Sequence, residues 1–414
     1  MSRSVVVGSG AREHALAWGL RASSDVVVTP GNAGIAAHGI TCVETPATEL
    51  EGDLFVIGPE APLVDGLADR LRAQGKVVVG PGADGARLEG SKAFMKDFLA
   101  AAGVPTADYG VFHDVEPALG FLSTMTAPYV IKTDGLAAGK GVLVTDDLEE
   151  ACDDVREKLS GNAFGDAGTT IVIEEALRGR ECSLIVLCDG ERVNALAPAQ
   201  DFKRVGDADR GANTGGMGAY APMTSMTPGQ VDRVMQEIIA PTVRELASRG
   251  VDYRGVLYAG VMLTDDGPKL LEYNVRFGDP ETEVLVPLYG DRMFELMTSV
   301  GEGHLASAPV TASGAAVTVV LAAQGYPQSP RSGDLIIGLG PDGQLAHAVE
   351  GVTVFHAGTS RRADGGFVTT GGRVLALTGV GATIKEARRR AYEGAALVGF
   401  EGKVMRRDIA LDVA

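Results

Sequence analysis

Leu271-Glu272-Tyr273-Asn274-Val275-Arg276-Phe277-Gly278-Asp279-Pro280-Glu281 carries more chemistry than any other stretch of this chain. In an extended backbone alternate residues share a face, so Glu272, Asn274 and Arg276 are expected to point one way and Tyr273, Val275 and Phe277 the other. One face then offers a ligand set and the other joins a core. A carboxylate and a carboxamide whose Cα atoms lie about 7 Å apart on a strand suit Mg2+, which takes hard oxygen ligands and keeps places for water and phosphate. Arg276 beside that metal would hold a phosphoryl or carboxylate oxygen. The same pattern also describes an edge strand with a solvated polar face, and the run alone does not separate the two.

Working outward, Pro128 to Lys132 reads as a strand, Thr133 to Gly141 as a glycine-alanine loop, and Val142 to Val144 as a second strand, so the loop caps a hairpin. A Walker A loop would place Ser or Thr after Gly-Lys and then a helix, whereas Gly139-Lys140 is followed by Gly141 and a strand. The loop is therefore either a phosphate cover or a mobile surface hairpin. Thr170 to Glu175 is apolar and ends in two carboxylates, Glu174 and Glu175, and Glu181 heads another apolar run through Leu187. Pro198 to Tyr220 is glycine-rich and charged, with Asp201, Lys203, Arg204, Asp207, Asp209 and Arg210, and is expected as a long loop, of a length that is usually functional or disordered. Thr227 and Pro228 open a helix that Gly250 closes beyond Pro241.

The first hundred residues repeat a short β-branched run, a glycine turn and a helical stretch. The runs are Val5 to Val7, Val26 to Val28, Leu54 to Ile57 and Val77 to Val79, an alternation that predicts an open parallel α/β domain with ligand loops at the strand carboxyl ends. Gly8-Ser9-Gly10 lacks the third glycine of a dinucleotide fingerprint, because Glu13 stands there, so NAD is disfavoured. The two glycines fit either a single-phosphate loop at a helix start or a tight turn. Glu13 and Glu60 could hold ribose hydroxyls or serve as helix-start carboxylates. His14 reads as helix packing. The last hundred residues, with Ala315 to Leu321, Val374 to Thr378 and a Thr383/Glu386 capping box, predict mixed α and β without a catalytic cluster of their own.

At 414 residues the chain exceeds what one core sustains, so several domains are expected. Their expected limits are 1–104, 105–308 (a mobile small lobe over about 110–180 and a large lobe over about 181–308) and 309–414. A formal charge of -17 argues against nucleic-acid binding but leaves anionic small ligands open. Cys42, Cys152, Cys182 and Cys188 show no metal or redox spacing and read as reduced core residues. No signal-peptide region or membrane span is legible, and a cytoplasmic protein without membrane partners is expected.

A lysine on a hairpin strand (Lys132), a Gly139 to Gly141 cover, the carboxylates Glu174, Glu175 and Glu181, and a Glu-x-Asn-x-Arg strand together resemble the ATP-grasp superfamily, in which ATP lies between two α+β lobes. More specific segments are similar to the glycinamide ribonucleotide synthetase (phosphoribosylamine-glycine ligase) family. These are Gly8 to Leu16, Pro30 to Gly34, Gly58 to Leu63, Leu88 to Phe94, Lys132 to Gly141 and Asn213 to Tyr220.

The resemblance implies ATP-dependent ligation of glycine to 5-phosphoribosylamine through glycyl phosphate, in purine synthesis, with Mg2+ or Mn2+ and ATP as co-substrate. A monomer is expected. It implies that Lys132, Lys140 and Lys92 neutralise phosphates beneath Gly139 and Gly141, that Glu174 to Leu177 binds adenine, and that Glu181 binds the ribose. Glu272 and Asn274 would hold the metal, and Arg276, Lys140 and Asp201 would act in catalysis. Gly8, Gly10, Glu13, Asn32, Gly34, Glu60, Lys203, Arg204, Asn213 and Gly215 would bind the other substrates. The sequence departs from the family pattern at Ala11, Phe202 and Glu283, and Phe202 removes an ionisable group beside the expected glycine site. Another ATP-grasp carboxylate-amine ligase would share the ATP residues but not the Gln200 to Tyr220 segment. A non-catalytic nucleotide sensor would be expected to have lost Lys132, Glu272 or Arg276.

Overall fold

The computed structural model describes residues 2–136, 141–160, 169–306 and 311–414. The β-branched runs near the start pair into one parallel sheet in the order Thr41–Cys42, Asp25–Pro30, Arg3–Gly8, Leu54–Ile57, Val77–Val79. A parallel sheet buries both faces, which is why these strands are apolar throughout instead of alternating. Val5, Val7, Phe55 and Ile57 meet Leu63, Leu67, Leu88, Met95 and Phe98 from the helices that follow. On the opposite face Val6, Val28, Leu54 and Val56 share one core with Leu16 and Leu20 and with Leu285, Met293, Leu296 and Val300. Those last residues belong to helices Glu281–Tyr289 and Arg292–Glu302. One face of this sheet is thus covered by helices almost 200 residues further along.

The small lobe is an antiparallel sheet in the order Tyr109–Phe112, Ile171–Glu175, Tyr129–Thr133, Val142–Thr145. Ile131, Ile171 and Ile173 pack against Ala118 and Leu122 of helix Val115–Leu122 and Ala151 and Val155 of helix Leu148–Leu159. The large lobe is a second antiparallel sheet in which Arg180–Asp189 pairs with Arg254–Thr264, and that strand pairs with Gly267–Asn274. Its covering helix starts at a capping box, with Thr227 Oγ1 accepting from Gln230 N and Gln230 Oε1 accepting from Thr227 N at 2.9 Å.

The segment expected as one long loop over 198–220 carries four short strands instead. Gln200–Asp201 and Gly218–Ala221 form the edge of a five-stranded sheet completed by Ala315–Ala322, Arg373–Gly381 and Val352–His356. Arg204–Gly206 and Arg210–Asn213 form a separate two-stranded ribbon. Met217, Ala219, Tyr220 and Ala221 are buried, so the segment has a core face that its glycines and charges conceal from a sequence reading. Helix Ile384–Leu397, capped by Thr383, covers the same sheet.

Candidate active site

The alternation in 271–277 is realised. Tyr273, Val275 and Phe277 are buried, while Glu272, Asn274 and Arg276 line the cleft between the lobes half-buried. The regular strand ends at Asn274, and Arg276 reaches the same face from the bend beyond it. Glu272 lies opposite Gly260 on the neighbouring strand, where the missing side chain leaves the carboxylate room; a Cβ there would sit 3.3 Å from Glu272 Cγ.

Four cations from four segments bear on Glu272. Burial pushes its carboxyl up, but Lys203, Lys132, Lys92 and Arg276 more than offset this and hold it below the usual carboxylate range. No described residue donates a hydrogen bond to it. An ionised carboxylate without a donor, two residues from a carboxamide, is a donor set that fits a hard divalent cation sharing its remaining positions with phosphate. Among the described residues no cluster of three or more His, Cys, Asp or Glu could hold a metal by itself, so water and phosphate oxygens would complete the shell.

Lys132, on the middle of the small-lobe sheet, donates to Glu174 Oε2 at 3.0 Å and to Leu271 O at 3.4 Å. The other Glu174 oxygen lies 3.3 Å from Lys96 Nζ, which also donates to Thr106 Oγ1 at 2.8 Å. Glu174 is 2% exposed and Lys96 is fully buried, so the Glu174 side chain braces two lysines. Burial pushes Lys96 down to about 8, against the pull of Glu174. Glu175 pairs with Lys269 at 3.2 Å, and its N–H donates to Asp108 O at 2.9 Å. Leu177 is half-buried in the connection to strand Arg180–Asp189.

The root of the hairpin is tied to the helix Lys92–Ala102. Asp134 accepts from Ala93 N at 3.0 Å and Ser91 Oγ at 3.1 Å, Ser91 caps the helix, and Lys92 Nζ donates to Gly135 O at 3.2 Å. Gly141 is buried and its carbonyl accepts from Thr133 N at 2.8 Å. Gly139 and Lys140 lie outside the described residues.

Beyond the Glu272 face, Glu181 and Lys203 form an ion pair. Burial, and then the nearby carboxylates Glu281, Glu181 and Glu272, push Asp201 up to about 8 despite Lys203. Lys203 is raised well above its ordinary value, because Asp201, Glu181 and Glu272 outweigh its burial. Glu281, at the end of the opening run, accepts from Tyr258 Oη at 2.5 Å and Ser183 Oγ at 3.1 Å. Arg276 donates to Asn274 Oδ1 at 3.0 Å and pairs with Glu89 at 2.9 Å and Glu60 at 3.3 Å.

The glycine loop of the first domain meets this wall. Arg12 Nη1 donates to Phe277 O at 3.3 Å, and a Cβ at Gly10 would lie 3.7 Å from Asp279 Oδ2. Several residues expected to touch substrate also make structural contacts within the protein. Glu13 is 2% exposed, with its carboxylate accepting from Gly10 N and Arg12 Nε at 2.6 Å each and filling the space beneath Gly8 and Gly58. Asn32 caps the helix Ala33–Ala37, and Gly34 makes room for the His356 ring. Arg204 closes the 204–213 ribbon, opposite Asn213, by donating to Gly211 O at 2.8 Å. Gly215 is held by Tyr326 Oη at 3.1 Å and by Arg373 Nη1, which also pairs with Asp279 at 3.1 Å.

Sequence reading missed Lys96, Glu89 and Arg373. Lys96 lies one helical turn from Lys92, a spacing that could have flagged it. Arg373 arrives from the C-terminal segment with no local signal.

Two antiparallel lobes, one carrying Lys132 and the other a Glu-x-Asn-x-Arg strand, define the ATP-grasp class of ligase. Three family profiles divide the chain: phosphoribosylglycinamide synthetase N domain over 2–89, ATP-grasp (A) domain over 90–282 and C domain over 316–412. The chain belongs to the phosphoribosylglycinamide synthetase family. The phosphoribosylamine–glycine ligase of Escherichia coli strain K12 is 48% identical over 421 residues, covering 98% of this chain and 97% of that one. The enzyme of that name from Vibrio parahaemolyticus is 46% identical over 423 residues, with 98% and 97% covered. The crystal structure of the Thermotoga maritima phosphoribosylamine–glycine ligase matches with a TM-score of 0.86 at 39% identity, covering 99% of this chain and 100% of that one. A biotin carboxylase domain from Hydrogenobacter thermophilus, in complex with MgADP, shares the fold alone, with a TM-score of 0.73 at 17% identity and 98% and 92% covered.

Proposed function

We propose that this chain joins glycine to 5-phosphoribosylamine at the expense of ATP, giving glycinamide ribonucleotide, ADP and phosphate, and that the residues gathered around Glu272 do the work. The observation that carries the site assignment is the convergence of Lys92, Lys132, Lys203 and Arg276 on one donor-free carboxylate. An amine cannot displace oxide from a carboxylate, so the glycine carboxylate first attacks the γ-phosphorus of ATP. Its oxygen bonds to phosphorus, the bond to ADP breaks, and glycyl phosphate forms. The ribosylamine nitrogen then attacks the acyl carbon, phosphate leaves with one former carboxylate oxygen, and the nitrogen gives up a proton. No protein nucleophile is required.

The side chains neutralise and position. Lys132, braced by Glu174, and Lys92 face the polyphosphate, and Lys203 and Arg276 face the carboxylate end. Glu272 and Asn274 would hold a divalent cation, Mg2+ or Mn2+, which when bound neutralises charge on the transferring phosphoryl group. Asp201, pushed up to about 8, exchanges a proton near neutral pH and so suits the step in which the amine loses one. The Gly8 to Gly10 loop holds the phosphate of the ribosylamine through backbone N–H groups at the helix start other than that of Gly10, which donates to Glu13. ADP release measured with glycine, freshly generated phosphoribosylamine and ATP should require all three. ADP formed at full rate without glycine would refute the ligase assignment.

A further inference from the structure

His14, His38 and His356 form a hydrogen-bonded chain between the first domain and the C-terminal sheet. The backbone N–H of His356 donates to His14 Nδ1 at 2.9 Å, and His14 Nε2 faces His38 Nδ1 at 3.0 Å. Because His14 Nδ1 accepts, the proton of the neutral ring sits on Nε2 and is donated to His38. Gln344 Nε2 reaches the same His38 nitrogen at 3.3 Å. His356 Nε2 donates to Gly343 O at 2.8 Å, leaving Nδ1 to accept from Thr359 Oγ1 at 3.0 Å. The charged groups that bear on this chain are Arg21 and Asp342; the rings of Phe355 and Phe367 pack against it.

What the chain reaches is the glycine loop. Asn32 Oδ1 accepts from Gly34 N at 2.8 Å and Ile35 N at 2.9 Å, which is its cap role. Its Nδ2 donates to two carbonyls, Ser9 O and His356 O, each at 2.8 Å. One amide group therefore ties the middle of Gly8-Ser9-Gly10 to the end of strand Val352–His356. A Cβ at Gly34 would overlap the His356 ring, so the helix start and the histidine are in direct contact.

We propose that His356, through Asn32, positions the Ser9–Gly10 loop for the phosphate of the ribosylamine substrate, so that the C-terminal sheet sets affinity for a substrate bound by the first domain. This rests on the reading that the Gly8 to Gly10 loop holds that phosphate. Asn32→Asp keeps the acceptor oxygen of the cap and removes both donors. It should raise the KM for phosphoribosylamine about tenfold, the loss of one exposed and one part-buried hydrogen bond, with kcat and the KM values for ATP and glycine within about twofold. His38→Ala breaks the chain at a half-exposed position, where water can take the His14 proton, and should give a smaller rise, about threefold, confined to phosphoribosylamine. An unchanged KM in Asn32→Asp, or an equal rise for all three substrates, would overturn the proposal. If Asn32→Asp does not fold, the absence of a selective rise in His38→Ala overturns it. Gly10→Val separates the two layers. If it leaves the KM for phosphoribosylamine unchanged, the loop assignment falls and the positioning role with it. If it raises that KM while Asn32→Asp does not, only the positioning role falls.

Discussion

Glu174 shows how one side chain shapes this site. Its two oxygens divide between Lys132 and Lys96 at 3.0 and 3.3 Å, in a pocket where the carboxylate is 2% exposed. Such a brace fixes where Lys132 points and keeps a second ammonium charged in the interior. Deleting one member of a buried ion group leaves the others uncompensated, at about 3–5 kcal/mol. Glu174→Ala is therefore expected to lower the unfolding midpoint in urea markedly and to raise the KM for ATP, whereas Glu175→Ala, on the exposed side of the same strand end, should do neither to a comparable degree. Equal midpoints for the two variants would show that the Lys96–Glu174–Lys132 group does not brace the lobe. The identity of Glu174 as a carboxylate after an apolar run is plain in the sequence; its partner Lys96 is not, because the pairing joins a helix and a strand 78 residues apart.

At the level of elements, local signals are legible where neighbours in sequence decide the outcome. The β-branched runs at Val5, Val26, Leu54 and Val77 form strands, the Thr227 and Thr383 caps begin helices, and the 128–144 hairpin pairs Lys132 with Val142. The reading failed where glycine and charge hide a pairing edge, as at Gly218–Ala221, whose partner is Ala315–Ala322. Asn32, expected among the substrate-binding residues, has its side chain engaged as a helix cap and a tether. The histidine chain has its own signature in pH. Burial holds His38 and His356 down near about 4 in the folded protein, below the ordinary 6.5. The unfolded chain then binds more protons, so this contribution to stability is complete above pH about 6.5 and is lost as pH falls toward 4. Urea unfolding between pH 7 and 4.5 should show a shallower acid loss for His38→Gln than for the natural sequence; identical slopes would show that His38 is not part of the acid response.

Across the whole molecule, the limits drawn at 104 and 308 do not coincide with packing. Helices 281–302 cover one face of the N-terminal sheet, and the 200–221 segment supplies the edge of the C-terminal one. Sequence reading placed the segments in order but could not see which cores they share, since that depends on contacts between distant residues such as Val77 and Gly301. A fragment of residues 309–414 loses the Gly218–Ala221 pairing along Ala315–Ala322, whose residues are all buried in the intact chain. It is expected to lack a cooperative urea transition by circular dichroism, and a cooperative transition would show that the C-terminal sheet is independent. This interlocking also bears on function, because Arg373 from the last segment holds Asp279 and Gly215 at the wall of the cleft.

The central claim is that the cluster around Glu272 activates a carboxylate by phosphoryl transfer before the amine arrives. It is tested most directly by running the reaction with glycine labelled with 18O in both carboxylate oxygens and analysing the phosphate by mass spectrometry. One 18O per phosphate released is the predicted result, since the oxygen that attacks phosphorus leaves with it. Phosphate free of label, with product still formed, would contradict the acyl phosphate route and the role assigned to this site.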